Sequence, residues 1–318
     1  MLRFGIVGTN FVSDWFVHAC TKTGGRAVPI AVYSRTEERG EAFAWKHGLP
    51  VTTSDFEAML AAVDAVYIAS PTSAHFPQAM AAIAAGRPVL VEKTMTANLA
   101  EAEALFAAAE KRDVVAMEAT RSLHTPAHRL VRESLNLLGP LRYAHLEMLQ
   151  YSSRYGRHLA GEQVNVFDPA LGNAAVVDIG VYCLEPALDW FGVPRSTTGR
   201  SVRLSNGFEA LGDILLDYES MVADLTYSKV AQSVTPSVIT GEGGSLTINS
   251  IGEPSRIVLH ERGGEPRVLL EQDPWPPAEG MHWEILSFAD QVARGATDPR
   301  WRDVTLAARR IMDEQLAR

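Results

Sequence analysis

The first 119 residues alternate between short apolar runs and amphipathic stretches, and this alternation constrains the fold more than any other feature of the chain. Apolar runs without a polar face are typical of strands buried on both sides. Helical connections between them favour a parallel sheet covered by helices on both faces. The runs are Phe4–Val7, Ala27–Tyr33, Ala65–Ala69, Val89–Val91 and Val114–Met117. Two helix starts are also predicted, because Ser54 and Asn98 each stand three residues before a glutamate.

The pattern changes near residue 120 to strands of alternating polarity with turn signals between them, which predicts a large, mostly antiparallel open sheet. These strands are Tyr143–Leu149, Arg200–Leu204, Asp213–Tyr218, Met221–Ser228, Ser237–Thr240, Ser245–Ile248 and Arg256–His260. Helices are predicted at Asn173–Phe191, His282–Arg294 and Asp303–Arg318, and a loop at Gly263–Gly280. We therefore expect an α/β protein with an N-terminal domain at 1–119 and a second α/β domain at 120–318.

Composition excludes several classes of protein. The chain has 318 residues and a formal net charge of −9 without a basic block, so we expect no nucleic-acid partner. No apolar stretch reaches the roughly 18 residues of a membrane span, and no membrane association is expected. Cys20 and Cys183 lie far apart in sequence, which favours neither a disulfide framework nor a thiolate metal site. A cytoplasmic protein without a metal fits best.

A glycine-rich turn follows the first strand, where a dinucleotide-binding fingerprint belongs. It reads Gly5-Ile-Val-Gly-Thr-Asn-Phe-Val-Ser13, with Asn10 in place of the second glycine. Asparagine tolerates left-handed backbone, and a helix N-terminus offers N–H groups to a pyrophosphate. The predicted cofactor-binding residues here are Gly8, Thr9, Asn10, Phe11 and Val12. The alternative is an ordinary strand-to-helix turn.

The end of the second strand predicts which dinucleotide is bound. It lacks the acid that would bind a ribose 2′-hydroxyl and carries Ser34 and Arg35 instead, with Arg39 one turn into the next helix. A hydroxyl beside arginines suits a 2′-phosphate, so NADP is favoured over NAD. In the alternative interpretation Ser34 caps a helix and both arginines are solvated.

Polar residues also follow the third and fourth apolar runs, at the strand ends where open α/β sheets bind ligands. A lysine directly after an apolar strand is either a charge reaching solvent or a proton-handling group in a cleft. The predicted cofactor-binding residues at these ends are Ser70, Pro71, Thr72, His75, Glu92 and Lys93.

Asp178 and Tyr182 stand four residues apart, so they share one side of either a helix or a strand. Gly180 lies between them. Because glycine costs roughly 1 kcal/mol relative to alanine inside a helix, its presence indicates that something approaches the backbone closely there. The alternative for Tyr182 is a core tyrosine.

The chain resembles the glucose-fructose oxidoreductase / inositol dehydrogenase (Gfo/Idh/MocA) family of NAD(P)-dependent oxidoreductases nearly end to end. The similar segments are Ala85–Thr94, Met117–Ala119 followed by Pro126, and Phe167–Gly172 followed by Asp178–Cys183. The last of these is similar to the branch with xylose dehydrogenase and dimeric dihydrodiol dehydrogenase. The resemblance implies a Rossmann domain joined to an α/β domain whose open sheet forms an oligomer interface, in a homodimer or homotetramer.

The resemblance also implies a catalytic group of Lys93, Asp178 and Tyr182. Tyr182 would exchange the proton of a substrate hydroxyl, Lys93 would hold the substrate oxygen and favour the phenolate, and Asp178 would orient Lys93 or a substrate hydroxyl. The chain departs from the family at four positions. Thr94 replaces a proline and Asn10 the fingerprint glycine, and near the expected substrate pocket Arg121 and Leu123 stand where the sugar dehydrogenases tend to have Trp and Arg. Arg121 either clamps an acidic substrate or faces solvent. The predicted substrate-binding residues are thus Lys93, Arg121, Asp178 and Tyr182.

The leading hypothesis is an NADP-dependent oxidoreductase for a sugar, polyol or related small molecule. A second hypothesis is a dinucleotide-binding regulator without turnover, and a third is a structural oligomer with a vestigial site. The joint presence of Lys93, Asp178 and Tyr182 favours chemistry, because neither alternative needs all three.

Overall fold

The structure, a computed structural model, describes the backbone of residues 1–318 and every side chain except that of residue 277. The chain divides into two compact units. Unit 1 comprises Met1–His124 and Trp275–Leu306, and unit 2 comprises Thr125–Pro274 and Ala307–Arg318. The domain boundary between residues 119 and 120 stays a prediction. This division also places residues 275–306 in the N-terminal unit, which the sequence did not predict.

Unit 1 contains a six-stranded parallel sheet in the order β3-β2-β1-β4-β5-β6. This order is that of a Rossmann dinucleotide-binding fold, with the switch point between β1 and β4. The strands are β1 Leu2–Val7, β2 Ala27–Tyr33, β3 Val51–Thr53, β4 Ala65–Ile68, β5 Val89–Glu92 and β6 Ala116–Ala119. The helices are α1 Phe11–Cys20, α2 Glu37–His47, α3 Phe56–Ala62, α4 Thr72–Ala84, α5 Leu99–Lys111, α9 Pro277–Arg294 and the first part of α10 Pro299–Ala317.

The central strands of unit 1 are buried on both faces, as their apolar composition predicts. Phe4 and Tyr67 point to the face covered by α1 and α9, where Phe288 joins the same core cluster. Val66 and Val91 point to the opposite face, which α3, α4 and α5 cover. The prediction of a parallel sheet between two layers of helices is confirmed.

Unit 2 is built on an eight-stranded sheet in the order β14-β13-β12-β11-β7-β10-β9-β8. Strands β7 and β10 are parallel and the other neighbours are antiparallel. The mostly antiparallel open sheet is therefore confirmed. Its strands are β7 Leu141–Leu149, β8 Ser196–Arg203, β9 Glu209–Asp217, β10 Val222–Ser228, β11 Ser237–Gly241, β12 Gly244–Ile248, β13 Arg256–Glu261 and β14 Arg267–Glu271. Its helices are α6 Pro126–Ser134, α7 Tyr155–Leu159, α8 Val181–Phe191 and the end of α10, and a π-helical turn at Val176–Gly180 precedes α8.

Several local predictions were wrong. The segment Gly263–Gly280, expected to be a loop, contains the edge strand β14 and the start of α9, because the short run Val268–Leu270 pairs with β13 despite its Gly- and Pro-rich surroundings. Strand β3, only three residues long, gave no apolar run. Helix α3 is capped by Asp55, whose carboxylate accepts from the Ala58 N–H at 3.1 Å, and not by Ser54.

Among the described residues, no helix has both the length and the apolar content needed to cross a bilayer.

Candidate functional site

The turn between β1 and α1 depends on a glycine. Gly8 has φ +106°, which side chains other than hydrogen rarely allow, and a Cβ placed on it would lie 2.8 Å from the carbonyl oxygen of Ala69. Its N–H donates to the Tyr33 carbonyl at 3.2 Å. Gly8 therefore lets the end of β1 approach the residue that follows β4, at the switch point of the sheet.

Asn10 supports this turn through its side chain. The expected left-handed backbone conformation of Asn10 was wrong. Its backbone is extended (φ −91°, ψ 177°), and its side chain caps α1 by accepting from the N–H groups of Val12 and Ser13 at 2.9 and 3.2 Å. Its Nδ2 donates to the Ala69 carbonyl at 2.6 Å. Asn10 replaces the fingerprint glycine because capping and cross-linking here need a side chain and no positive φ.

The end of β2 presents two cations beside a hydroxyl. Ser34 is buried, and its Oγ accepts from the Thr36 N–H at 3.3 Å. Arg35 and Arg39 are both exposed. Helix α2 has Thr36 as its N-cap residue, so the alternative in which Ser34 caps that helix does not hold. Two exposed guanidinium groups that follow Ser34 within five residues have the charge and hydrogen-bond donors that a 2′-phosphate requires.

His75 on α4 joins the loops that follow β4 and β5. Its ring is buried, with Nε2 2.7 Å from the Ser70 carbonyl and Nδ1 3.1 Å from the Thr94 carbonyl. Burial lowers the pKa of His75, although both carbonyls oppose this shift. A neutral ring carries one N–H and donates to one of the two carbonyls at a time. The loop also contains a cis peptide bond between Lys93 and Thr94.

Unit 1 also contains two interacting carboxyl groups, the partly buried Glu92 at the end of β5 and the buried Glu284 on α9. The Tyr67 hydroxyl donates to Glu92 at 2.5 Å, and burial raises the pKa of Glu92, while this hydrogen bond and the charges of Lys93 and Arg121 lower it. Burial raises the pKa of Glu284 on α9 well above its ordinary value, with a further rise from Glu92 and an opposing effect of Arg121. Neither oxygen of Glu284 has a hydrogen-bond partner among the described residues. The Arg121 charge therefore acts on two carboxyl groups of its own unit.

In unit 2, Asp178 lies in the π-helical turn and Tyr182 in the first turn of α8. Asp178 forms an ion pair through Oδ2 with the ammonium group of Lys229, the residue directly after β10. Tyr182 is half-buried, and a Cβ on Gly252 would lie 3.6 Å from its ring and 3.5 Å from the methyl group of Met148. A small side chain at position 252 would therefore contact the predicted proton donor at an ordinary van der Waals distance.

Gly180 lies at a close contact, as its place between Asp178 and Tyr182 predicts. A Cβ at this position would lie 3.1 Å from the ring of Tyr227 on β10. The buried Glu209 completes the support of the turn, since its carboxylate accepts from the Val176 N–H at 2.9 Å and from the Tyr227 hydroxyl at 2.8 Å.

The predicted residues thus fall into two groups. Asp178 and Tyr182 belong to unit 2. All the other predicted site residues belong to unit 1: Gly8–Val12, Ser34, Arg35, Arg39, Ser70–Thr72, His75, Glu92, Lys93 and Arg121. Their cofactor, substrate and catalytic roles stay predictions. Sequence reasoning missed Glu284 and Lys229, although each left a signal: Glu284 interrupts the apolar face Met281–Ile285–Phe288, and Lys229 follows a strand as Lys93 does.

Comparison with known proteins gives matches along both units. Residues 2–120 match the model of an oxidoreductase family with an NAD-binding Rossmann fold. The chain is 34% identical over 318 residues to the scyllo-inositol 2-dehydrogenase (NADP(+)) of Bacillus subtilis, covering 99% of this chain and 96% of that protein. It is 38% identical over 273 residues to the oxidoreductase YgjR of Escherichia coli, covering 85% and 83%. A 3-ketoreductase from Actinomadura kijaniata, solved with NADP and TDP-benzene, shares the fold with a TM-score of 0.84 at 24% identity over 98% and 96% of the two chains.

Proposed function

Because the chain belongs to the oxidoreductase family with an NAD-binding Rossmann fold, we propose that it is an NADP-dependent dehydrogenase or reductase for a sugar, a polyol or a related small molecule. The reaction interconverts a CH–OH group and a carbonyl group. The observation that carries the proposal is the end-to-end similarity to an NADP(+)-type inositol dehydrogenase, because it spans the dinucleotide-binding unit and the unit with Asp178 and Tyr182.

The residues at the end of β2 support NADP as the cofactor. A 2′-phosphate carries two negative charges near neutral pH, and the exposed Arg35 and Arg39 follow Ser34 closely in the sequence. Bound NADP would supply the nicotinamide carbon that accepts or donates the hydride. The N-terminus of α1 would attract the pyrophosphate through the partial positive charge of the helix, because Asn10 already occupies the N–H groups of Val12 and Ser13.

The chain's own residues supply the proton chemistry in this proposal. The Tyr182 hydroxyl donates a proton to the carbonyl oxygen in reduction and accepts it in oxidation, as a general acid or base. The Lys93 ammonium binds the same oxygen and stabilises its negative charge. Asp178 accepts a hydrogen bond from a neighbouring hydroxyl of the substrate, which favours polyhydroxylated molecules over simple alcohols.

Association of the chain with itself through the sheet of unit 2 is part of the proposal. Tyr143, Val202 and Leu215 are large exposed apolar residues of this sheet, and they alternate along their strands with side chains that point to the other face. They share this face with charged residues such as Asp213 and Asp224, and exposed large apolar residues favour a partner that covers them. We propose a homodimer or homotetramer in the cytoplasm, where the two free, buried thiols Cys20 and Cys183 would stay reduced.

A coupled screen tests this function directly. Sugars, polyols, sugar acids and dicarbonyl compounds are offered with NADP or NADPH, and the absorbance of the reduced nicotinamide is followed. We expect turnover with at least one polyhydroxylated compound. Tight NADP binding without turnover on any of them would refute the enzyme and favour a dinucleotide-binding regulator.

A further inference from the structure

Lys229 is a buried lysine whose backbone is fixed on both sides. Its N–H donates to the Ala210 carbonyl and its carbonyl accepts from the Ser152 N–H, each at 2.9 Å. Its side chain is only 5% exposed. Removing an ammonium group from water costs several kcal/mol unless a partner compensates it. The fold therefore fixes the position of this cation.

The contacts of the Lys229 ammonium are an aspartate and an aromatic ring. It pairs with Oδ2 of Asp178, and it lies 5.8 Å from the ring centre of Phe167. The Asp178 side chain is 41% exposed. The pair thus joins an inaccessible cation to a carboxylate that a solvent molecule or a substrate reaches. The buried ammonium needs a partner for stability, because an unpaired buried charge costs several kcal/mol, but stability alone does not require that this partner be 41% exposed.

The surrounding contacts fix the orientation of Asp178 relative to β10. Tyr227 and Lys229 stand two residues apart, and so they point to the same side of the chain as it leaves β10. The ring of Tyr227 packs so closely on Gly180 that a Cβ there would lie 3.1 Å from it. Lys229 forms the ion pair with Asp178. Tyr227 in β10 and Lys229 just after it therefore contact Gly180 and Asp178 of the π-helical turn, shortly before Tyr182.

We propose that Lys229 is a positioning residue for the reaction, which holds the carboxylate of Asp178 in one orientation toward the substrate hydroxyl. This inference rests on the proposed function. Lys229 occupies one oxygen of Asp178, so that the carboxylate does not rotate freely and presents a defined acceptor. Small losses of orientation in a reacting complex lower rates by up to about 100-fold.

The test compares Lys229→Met, Lys229→Gln and Asp178→Asn with the double variant Lys229→Met/Asp178→Asn in the full chain. Using a substrate from the screen, one measures kcat, KM, NADP affinity and melting temperature. We expect Lys229→Met to lower kcat/KM by about 10- to 100-fold and to leave NADP affinity within about twofold. In the Asp178→Asn background, the same change should alter kcat/KM by less than about threefold, because Lys229 acts through Asp178.

The pH profile separates positioning from a structural role. Without its cation the Asp178 carboxylate binds a proton more readily, so the acid limb of kcat/KM should move to higher pH in Lys229→Met. Loss of folded protein alone would lower kcat and leave that limb in place. Lys46→Met is the matched control, because Lys46 pairs with Asp14 at 2.8 Å but has a 57% exposed side chain, and all its kinetic constants should stay unchanged.

The outcomes distinguish this inference from the proposed function. Wild-type protein that turns over no compound overturns the function. If the wild type is active and both Lys229→Met and Lys229→Gln keep kcat/KM within twofold, the role of Lys229 is overturned alone. A Lys229→Met protein that does not fold leaves the decision to Lys229→Gln, whose neutral amide is a smaller change. Multiplicative losses in the double variant would likewise refute action through Asp178.

Discussion

Replacing Gly8 by alanine should destabilise unit 1 and abolish dinucleotide binding together. The φ of +106° costs an alanine about 1 kcal/mol or more. The added Cβ would lie 2.8 Å from the Ala69 carbonyl oxygen, and backbone crowding of this kind costs about 2 kcal/mol. The sum of about 3 kcal/mol corresponds to a fall in melting temperature of about 6–12 °C for a unit of this size.

The chain offers a control that separates the two costs. Gly25 also has a positive φ, of +79°, but a Cβ there meets nothing within 4 Å. Gly25→Ala should therefore show the backbone cost alone, about 1 kcal/mol and a fall of about 2–4 °C. Differential scanning calorimetry gives both melting temperatures, and NADP titration gives both affinities. Equal shifts in the two variants, or unchanged NADP affinity in Gly8→Ala, would refute the close-approach argument.

Four further predictions concern the cofactor, the catalytic group, pH and association. NADP should bind more tightly than NAD, and Arg35→Ala should remove most of this preference in parallel titrations; a preference that survives removes the charge argument. Lys93→Met and Tyr182→Phe should each lower kcat by about 10²- to 10⁴-fold, with the double variant little worse than the worse single one; intact turnover in Tyr182→Phe excludes it as the proton donor. Burial raises the pKa of Glu284, so the folded chain keeps a proton that the unfolded chain releases above about pH 4.5, and stability should fall as pH rises past that value. Glu284→Gln should flatten this fall in urea titrations at pH 5 and pH 8, and a slope equal to that of the wild type would show that Glu284 is already ionised. Light scattering at micromolar concentration should give a dimer or tetramer, and a strict monomer would show that the outer sheet face needs no partner.

The sequence predicted those features that a local pattern encodes. Fully apolar runs specified the parallel sheet, and the resemblance to the oxidoreductase family is confirmed by relatives that match nearly the whole chain. The cap at Asn98 is confirmed, because its side chain accepts from the Glu101 N–H at 2.9 Å. The cap at Ser54 was wrong because the adjacent Asp55 offers a better acceptor to the same first turn. Such choices between neighbouring residues depend on a backbone geometry that a sequence motif leaves open.

The support of the candidate site was not predictable, because it comes from residues distant in sequence. Gly180 did indicate a close approach, but that the approaching group is the ring of Tyr227 depends on how β10 packs on the π-helical turn. Pairing of Asp178 with Lys229 has the same origin. Asn10 illustrates the converse, since its residue type suggested a left-handed turn while its side chain serves as a cap.

The return of residues 275–306 to unit 1 has a consequence for biosynthesis. The ribosome completes the six parallel strands before it begins α9, yet Ile285 and Phe288 of that helix share a core cluster with Phe4 and Phe16. The intervening stretch, residues 125–274, takes about 8–30 s to translate at the usual 5–20 residues per second. During this interval the nascent N-terminal sheet lacks one of its helical covers and exposes aromatic side chains. Completion of this core therefore waits until α9 has been translated.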